Sequence, residues 1–301
     1  PTFSKPADIT IFTSAGCTYD ASVLATGDVT NEADNCSTGL NATFSDATAA
    51  GSCQGEVIIT RTWSLSDNCG NAAADQIQII DVQDNTAPTF SKPADITIFT
   101  SAGCTYDASV LATGDVTNEA DNCSTGLNAT FSDATVPGSC QGEVIITRTW
   151  SLVDNCGNAA ADQIQIIDVQ DNTAPTFSKP ADITIFTSAG CTYDASVLAT
   201  GDVTNEADNC STGLNATFSD AIAPGSCQGE VIITRTWSLI DNCGNAAANQ
   251  VQIIDIQDNT APTFSKPADI SIFSSAGCTY DASVLATGDV TNEADNCSTG
   301  L

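Results

Sequence analysis

Residues Gln54–Leu65 read QGEVIITRTWSL, an alternation of apolar and polar side chains that is typical of a half-buried β-strand. The alternate positions that share one face are Val57, Ile59, Arg61, Trp63 and Leu65. At about 3.3 Å per residue, such a run spans roughly 35 Å, which is the length of a small sandwich domain. The stretch therefore predicts a long central strand with Trp63 in the core.

Shorter runs around this strand have the same character. Glycines and Asp-Asn pairs punctuate them, and no ten-residue stretch carries a helical apolar stripe. The predicted strands are Gln76–Val82 (QIQIIDV, with Ile77 and Ile79 inward), Asp8–Thr13 (DITIFT), and the shorter Ser22–Leu24 and Leu40–Phe44. The predicted fold class is all-β, a tandem array of immunoglobulin-like β-sandwiches.

The sequence consists of near-identical repeats of constant length. PTFSKPADIT begins at Pro1, Pro88 and Pro175, and PTFSKPADIS begins at Pro262, so the period is 87 residues. We expect immunoglobulin-like domains at 1–87, 88–174 and 175–261 and a partial copy at 262–301, like beads on a string. We call these repeats 1 to 4. The absence of methionine and the incomplete fourth copy predict a segment of a longer chain.

Charge and composition exclude several functions. There are 37 acidic residues against 7 basic ones and no histidine, which gives a net charge of -30. Nucleic acid is excluded because phosphate binding needs Lys and Arg, and anionic membrane surfaces are disfavoured. No apolar run is long enough to insert in a membrane. Without histidine, Ser-His-Asp and Cys-His sites are impossible, and the chain is predicted not to be an enzyme.

Each full repeat has four cysteines, and the sequence has no CxxC motif, so disulfides in an oxidising compartment are predicted rather than a metal site. Three pairings per repeat are possible, and free buried thiols are the alternative. We favour disulfides between cysteines that are neighbours in sequence, namely Cys17 with Cys36 and Cys53 with Cys69. Loops of this size contribute about 3 kcal/mol each. The predicted disulfide residues are Cys17, Cys36, Cys53, Cys69, Cys104, Cys123, Cys140, Cys156, Cys191, Cys210, Cys227, Cys243, Cys278 and Cys297.

The junctions between repeats are acidic and short. The first reads DVQDNTAPTF from Asp81 to Phe90, and Pro88 restricts its backbone. Clustered oxygen ligands without nitrogen or sulfur suit Ca²⁺, whereas the alternative is a solvated Asx turn. Predicted junction ligands are Asp81, Asp84, Asn85, Asp168, Asp171, Asn172, Asp255, Asp258 and Asn259. Across the first junction, Asp115 and Glu119 are candidates to complete the site.

A second Asx-rich stretch, Asp67–Asn71 (DNCGN), lies between two predicted strands. Gly70 can adopt positive φ, and Asn-Cys-Gly-Asn suits a tight turn, so the stretch predicts a hairpin. A ligand role for Asp67 or Asn71 is the alternative to this turn.

Four motifs carry a family resemblance: PADITIF at Pro6, EADNC at Glu32, TRTWSLSDNCGN at Thr60 and D-x-x-DNTAPTF at Asp81. They resemble the hyalin-repeat (HYR-like) immunoglobulin-type domains of very large surface adhesins, above all gliding-motility adhesins of Bacteroidota. The resemblance implies export by the type IX pathway to the cell surface. The junction is also similar to the calcium-binding linker of cadherins, from which it departs at Gln83 and Thr86.

The expected function is therefore a structural stalk or filament segment of a secreted adhesin, in which identical disulfide-stapled domains give reach and stiffness. Its partners would be neighbouring repeats, other cell-surface components or extracellular polysaccharide. The alternative is an adhesion module with one weak carbohydrate- or surface-binding site per repeat. Differences between repeats fall on apparent turns or are Ile/Val exchanges, which favours the stalk.

Overall fold

The computed structural model describes residues 1–299, and its elements recur with the sequence period. Repeat 1 contains β1 (Thr2–Ser4), β2 (Ile9–Phe12), α1 (Val23–Thr26), β3 (Thr30–Ala33), β4 (Thr43–Ala50), β5 (Val57–Ser64) and β6 (Gln76–Gln83). Repeat 2 contains β7 (Thr89–Ser91), β8 (Ile96–Phe99), α2 (Val110–Thr113), β9 (Thr117–Ala120), β10 (Thr130–Pro137), β11 (Val144–Ser151) and β12 (Gln163–Gln170). Repeat 3 contains β13 (Thr176–Ser178), β14 (Ile183–Phe186), α3 (Val197–Thr200), β15 (Thr204–Ala207), β16 (Thr217–Pro224), β17 (Val231–Ser238) and β18 (Gln250–Gln257). Repeat 4 contains β19 (Thr263–Ser265), α4 (Val284–Thr287) and β20 (Thr291–Ala294).

Each full repeat has a four-stranded and a two-stranded sheet. In repeat 1 the order is β2-β6-β5-β4, in which β2 runs parallel to β6 and the other pairs are antiparallel. The first strand, β1, leaves this sheet and pairs antiparallel with β3. Repeats 2 and 3 repeat the same orders. The predicted all-β, tandem immunoglobulin-like fold class is confirmed.

The core of each repeat lies between the two sheets. Phe3 of β1 packs with Trp63 and Leu65 in one cluster, and Ile59, Ile80 and Val82 form a second. Trp63, Trp150 and Trp237 are each 1% exposed, which confirms the prediction for the central strand. The strand alternates as expected, with Ile59, Arg61 and Trp63 buried.

Arg61 is the unusual member of that inward face, because it is a buried cation. Its Nε and Nη2 donate to both carboxylate oxygens of Asp46, each at 2.8 Å, and Nη1 donates to Thr26 Oγ1 at 2.7 Å. Its guanidinium also lies 4.0 Å from the ring centroid of Phe44. A fully paired guanidinium is tolerated inside a small core where an unpaired one is not. Arg148 and Arg235 have equivalent contacts in repeats 2 and 3.

Three strand predictions need correction. In β6 the inward residues are Gln78, Ile80 and Val82, whereas Ile77 is 52% exposed. The predicted inward face of Ile77 and Ile79 is wrong because Gln78 finds buried partners: its Oε1 accepts from Trp63 Nε1 at 3.3 Å and its Nε2 donates to two backbone carbonyls.

The other two corrections concern short elements. The strand predicted at Ser22–Leu24 is instead the four-residue helix α1, which ends at Gly27 with φ 94°. The strand predicted at Leu40–Phe44 begins only at Thr43 and continues to Ala50, because it follows the length of its partner β5.

The chain forms two compact units. Unit 1 comprises residues 1–98, 106–138 and 144–170, and unit 2 comprises residues 99–105, 139–143 and 171–301. Two loops of repeat 2 thus group with repeat 3, while the division into four repeats stays a prediction. Within residues 1–299, no helix is long and apolar enough to cross a membrane.

Candidate functional site

Disulfides in unit 1 join repeat 1 to repeat 2. Cys17 bonds to Cys123 with a Cα–Cα distance of 4.6 Å, and Cys53 bonds to Cys156 with a Cα–Cα distance of 5.2 Å. The bonded residues are 106 and 103 positions apart in sequence. Each of these cysteines therefore bonds to a cysteine of the other repeat and not to the nearest cysteine in sequence.

Unit 2 shows the same pairing one repeat later. Its disulfides are Cys104–Cys210, Cys140–Cys243 and Cys191–Cys297. Among residues 1–299, four cysteines are unpaired, namely Cys36, Cys69, Cys227 and Cys278. They occupy positions whose counterparts in other repeats bond to the preceding or the following repeat.

The predicted neighbour pairings, Cys17–Cys36 and Cys53–Cys69, are wrong in this structure. Cys53 and Cys69 flank the eight residues of β5, so they lie at opposite ends of an extended strand roughly 26 Å long. A disulfide needs Cα atoms within about 7 Å. Cys17 and Cys36 are also far apart. Cys17 follows the C-terminal end of β2, whereas Cys36 follows the C-terminal end of β3, which pairs with the start of β1 at the opposite end of the repeat.

The first disulfide lies tightly against the backbone of repeat 1. Gly55 has φ 91°, and a Cβ there would come within 2.6 Å of both Cys17 Sγ and Cys123 Cβ. Glycine is therefore needed at position 55 for two reasons: the backbone has a positive φ, and the disulfide leaves no space for a side chain.

Polar side chains surround the two bonds. Gln54 receives hydrogen bonds on Oε1 from Thr125 N at 3.1 Å and from Asn155 Nδ2 at 3.0 Å. Asn122 Nδ2 donates to Thr13 Oγ1 at 3.0 Å, and Asn158 Nδ2 donates to the carbonyl of Asp84 at 3.1 Å. The first junction is thus fixed by hydrogen bonds as well as covalently.

Three carboxylates converge at the same junction. One oxygen from each of Asp84, Asp121 and Asp154 lies within 4.8 Å of the others. Asp84 comes from the end of repeat 1, whereas Asp121 and Asp154 belong to loops of repeat 2. Asp171, Asp208 and Asp241 form the equivalent cluster in unit 2. We call these two groups the aspartate clusters.

Local hydrogen bonds orient every carboxylate. Asp121 Oδ2 accepts from the amides of Cys123 and Ser124 at 2.9 and 2.8 Å. Asp154 Oδ1 accepts from the amides of Cys156 and Asn158, both at 2.8 Å. These loops place each carboxylate immediately beside a disulfide, which fixes its position.

Asp84 is held by residues of its own repeat, repeat 1. Its Oδ1 accepts from Thr13 Oγ1 and from the amide of Thr86, both at 3.1 Å. The Asp84 side chain is 6% exposed, yet its Oδ2 has no hydrogen-bond partner within the described chain. The same is true of Oδ1 in Asp121 and in Asn122. Buried oxygens of this kind point to a ligand, because an unpaired buried polar group is costly.

Two of the predicted metal ligands, Asp84 and Asp171, lie in the aspartate clusters. Asp81 accepts from Gln83 Nε2 at 2.6 Å and is outside the clusters. The other predicted aspartates outside the clusters are Asp168, Asp255 and Asp258, and a ligand role for Asn85, Asn172 and Asn259 stays a prediction. Asp258 does accept a hydrogen bond from Thr187, as Asp84 does from Thr13.

The far-side candidates Asp115 and Glu119 are not in the cluster either. Asp115 accepts from the adjacent amide of Val116, and Glu119 accepts from the amide of Ala129. Sequence reasoning did not name Asp121, and it considered Asp154 only through its counterpart Asp67, for which a ligand role was the alternative to a turn. The signal that the two residues share is the tripeptide Asp-Asn-Cys, which occurs twice in each full repeat.

The hairpin predicted at Asp67–Asn71 is confirmed. The amide of Asp67 donates to the carbonyl of Asn71 at 2.9 Å, and Gly70 has φ 88°. In repeat 2 the equivalent hairpin contributes Asp154 to a cluster. Turn geometry and ligand geometry therefore coexist in the same five residues.

Comparison with known proteins gives structural similarities only. The chain is similar to Drosophila N-cadherin EC1-3 at 10% identity, covering 84% of this chain and 98% of that chain with a TM-score of 0.25. For titin I67–I69 the identity is 8%, the coverages 86% and 98%, and the TM-score 0.26. For the sialic acid binding region of the Streptococcus sanguinis SK1 adhesin the identity is 10%, the coverages are 89% of this chain and 80% of that chain, and the TM-score is 0.19. No family model and no curated protein matches the chain.

Proposed function

We propose that this chain is a non-catalytic segment of an extracellular stalk, belonging to a large HYR-like cell-surface adhesin of the kind used in gliding motility by Bacteroidota. The stalk carries an adhesive region away from the cell and keeps it at a defined reach. Neighbouring repeats are its principal partners, and other surface components or polysaccharide would meet it at the cell exterior.

The observation that carries this proposal is the pairing of cysteines between successive repeats. Repeats 1 and 2 are joined by the polypeptide and by two disulfides, Cys17–Cys123 and Cys53–Cys156. Three covalent connections suppress bending at a junction far more than one linker does. The two disulfides also require an oxidising compartment, which favours export.

Electron microscopy of the oxidised chain tests the stalk. We expect a narrow distribution of the angle between repeats 1 and 2, which two disulfides join. Reduction and alkylation should broaden the distribution of angles without removing the individual repeats. Equally broad angles before and after reduction would contradict the proposal. Saturable binding of a glycan array by the same oxidised chain would favour an adhesion module instead.

We infer that the aspartate clusters bind Ca²⁺. Two like charges 4 Å apart repel by about 4 kcal/mol under the effective dielectric of a protein surface, and each cluster contains three. A divalent cation converts this repulsion into attraction. The donors are hard oxygens only, which suits Ca²⁺, and water would supply the rest of its usual six to eight ligands.

The cluster residues and the predicted ligands outside the clusters give a matched test. Asp84→Asn with Asp171→Asn should weaken Ca²⁺ binding at least about tenfold in calorimetric titration. Asp81→Asn with Asp168→Asn removes the same charge three positions earlier and should leave the affinity within about twofold. Equal losses in the two variants would place the ion elsewhere, and no heat of binding to the unmodified chain would exclude the site.

A further inference from the structure

The disulfides form continuous covalent paths that bypass most of each repeat. We propose that these paths carry tension and give the chain a further function, as a tether whose extension is limited even when its repeats unfold. The inference depends on the pairing of the cysteines and not on the identity of the adhesin.

The first path uses the central strands. Cys53 bonds to Cys156, which follows β11, and Cys140, which precedes β11, bonds to Cys243. Tension entering at Cys156 therefore leaves at Cys140 after 16 residues of polypeptide, although the repeat contains 87. Every other strand of the repeat lies outside this path.

The second path runs through the short helix and the second strand of each two-stranded sheet, which are α2 and β9 in repeat 2. Cys17 bonds to Cys123, and Cys104, which is 19 residues upstream of Cys123, bonds to Cys210. Cys191 then bonds to Cys297 in the same manner. Two short covalent routes thus accompany each long polypeptide route.

The strand path has little slack. β11 is already extended, at about 3.3 Å per residue, and a fully stretched chain reaches only about 3.6 Å. The 87 residues of a repeat without cross-links have a contour length of about 300 Å, whereas the 16 residues of the strand path have about 60 Å. Along the strand path, the covalent chain of β11 therefore limits the extension before the hydrogen bonds to β10 and β12 are broken.

Pulling the complete chain by its two ends tests the proposal. In the oxidised chain the shortest covalent route runs from Pro1 to Cys17, from Cys123 to Cys104, from Cys210 to Cys191 and from Cys297 to the end. That route contains about 58 residues, so the contour length should be about 210 Å. Reduced chain should reach about 1,080 Å, a fivefold increase.

Paired variants distinguish the two paths. Cys17→Ser with Cys123→Ser diverts the route through Cys53–Cys156 and then Cys191–Cys297, and should raise the oxidised contour length about 1.6-fold, to about 91 residues. Cys53→Ser with Cys156→Ser removes a disulfide that the shortest route does not use, so the contour length should not change. A fully stretched chain reports connectivity alone, so both readings hold for any variant in which the remaining disulfides have formed.

Two results would overturn the proposal. Neighbour pairing within repeats would give an oxidised contour length of about 175 residues, threefold above the expected value. Equal lengths for the two paired variants would show that the routes do not exist as described. Either failure would leave a stalk held by other contacts possible, and electron microscopy would still test that stalk separately.

Discussion

The sequence EADNC occurs in repeat 1 at Glu32–Cys36 and in repeat 2 at Glu119–Cys123, with different outcomes. Cys36 is exposed and unpaired, whereas Cys123 is 7% exposed and bonded to Cys17. Asp34 lies outside the aspartate clusters, whereas Asp121 is clustered with Asp84.

The local structure of the two copies is nevertheless the same. In each, the aspartate accepts hydrogen bonds from the amides two and three residues later. What differs is the preceding repeat, which supplies a cysteine and an aspartate to the second copy. The disulfides and the aspartate clusters are thus properties of two successive repeats, and no single repeat contains a complete disulfide or a complete cluster.

The largest expected difference between the copies is in stability. Cys17→Ser with Cys123→Ser opens a loop of about 100 residues, which by the chain-entropy estimate costs about 4–5 kcal/mol of unfolding free energy. The matched change Cys36→Ser removes the exposed, unpaired counterpart and should alter stability by less than about 0.5 kcal/mol. Denaturant unfolding measures both, and equal effects would contradict the comparison.

Changes inside the core of a repeat should not distinguish the copies. Arg61→Ala and Arg148→Ala each leave a carboxylate without its buried partner, which typically costs about 3–5 kcal/mol. We expect equal losses because Asp46 and Asp133 lie in the same repeat as their arginines. A clearly larger loss for one arginine, measured by hydrogen exchange of each repeat, would mean that the cores also depend on the neighbouring repeat.

Calcium should sharpen the difference between the copies. At a concentration of 100 times its dissociation constant, a ligand of the folded state adds about 2.7 kcal/mol to the unfolding free energy. Asp154→Asn should abolish this gain at the first junction, whereas Asp67→Asn, at the equivalent position of repeat 1, should preserve it. Thermal unfolding with and without Ca²⁺ provides the measurement. Loss of the gain in both variants would contradict a site shared between repeats.

The smallest expected effect concerns protonation of the first copy. The amides of Cys36 and Ser37 are the largest causes that lower the pKa of Asp34 to about 2. Because the folded pKa is lowered, this carboxylate stabilises the fold above its usual pKa of 3.8, and the contribution is lost as the pH falls through about 2.

Titration followed by carboxyl NMR signals measures this pKa. We expect Asp34 to titrate below 3.8, and a pKa at or above 3.8 would show that the Cys36 and Ser37 amides do not donate to it in solution.

The parts of the fold that the sequence predicts are those with a single consistent pattern. Gln54–Leu65 has one apolar face, and β5 formed as expected. Gln76–Val82 has apolar residues in both registers, and the choice depended on Trp63 and two distant carbonyls that satisfy Gln78. Alternation within a strand cannot contain that information.

Strand formation itself also depends on distant partners. Ile9–Phe12 forms β2 because β6 offers a parallel edge, whereas the related stretch Ile270–Phe273 is not a strand in the described part of repeat 4. The acidic junction was predicted with Asp84 among its ligands, but Asp121 and Asp154 lie 37 and 70 positions away in sequence. The spacing of the cysteines also does not reveal that the extended strand β5 separates Cys53 from Cys69.

Digestion of the alkylated, unreduced chain by a protease that cleaves after glutamate tests the central claim most directly. Cleavage occurs after Glu32, Glu56, Glu119, Glu143, Glu206, Glu230 and Glu293. Pairing between successive repeats predicts three separate cross-linked species, one of which joins residues 1–32 to residues 120–143 and 231–293. Pairing of neighbours within each repeat would link all eight fragments into one species, and mass spectrometry that found this single species would contradict the account.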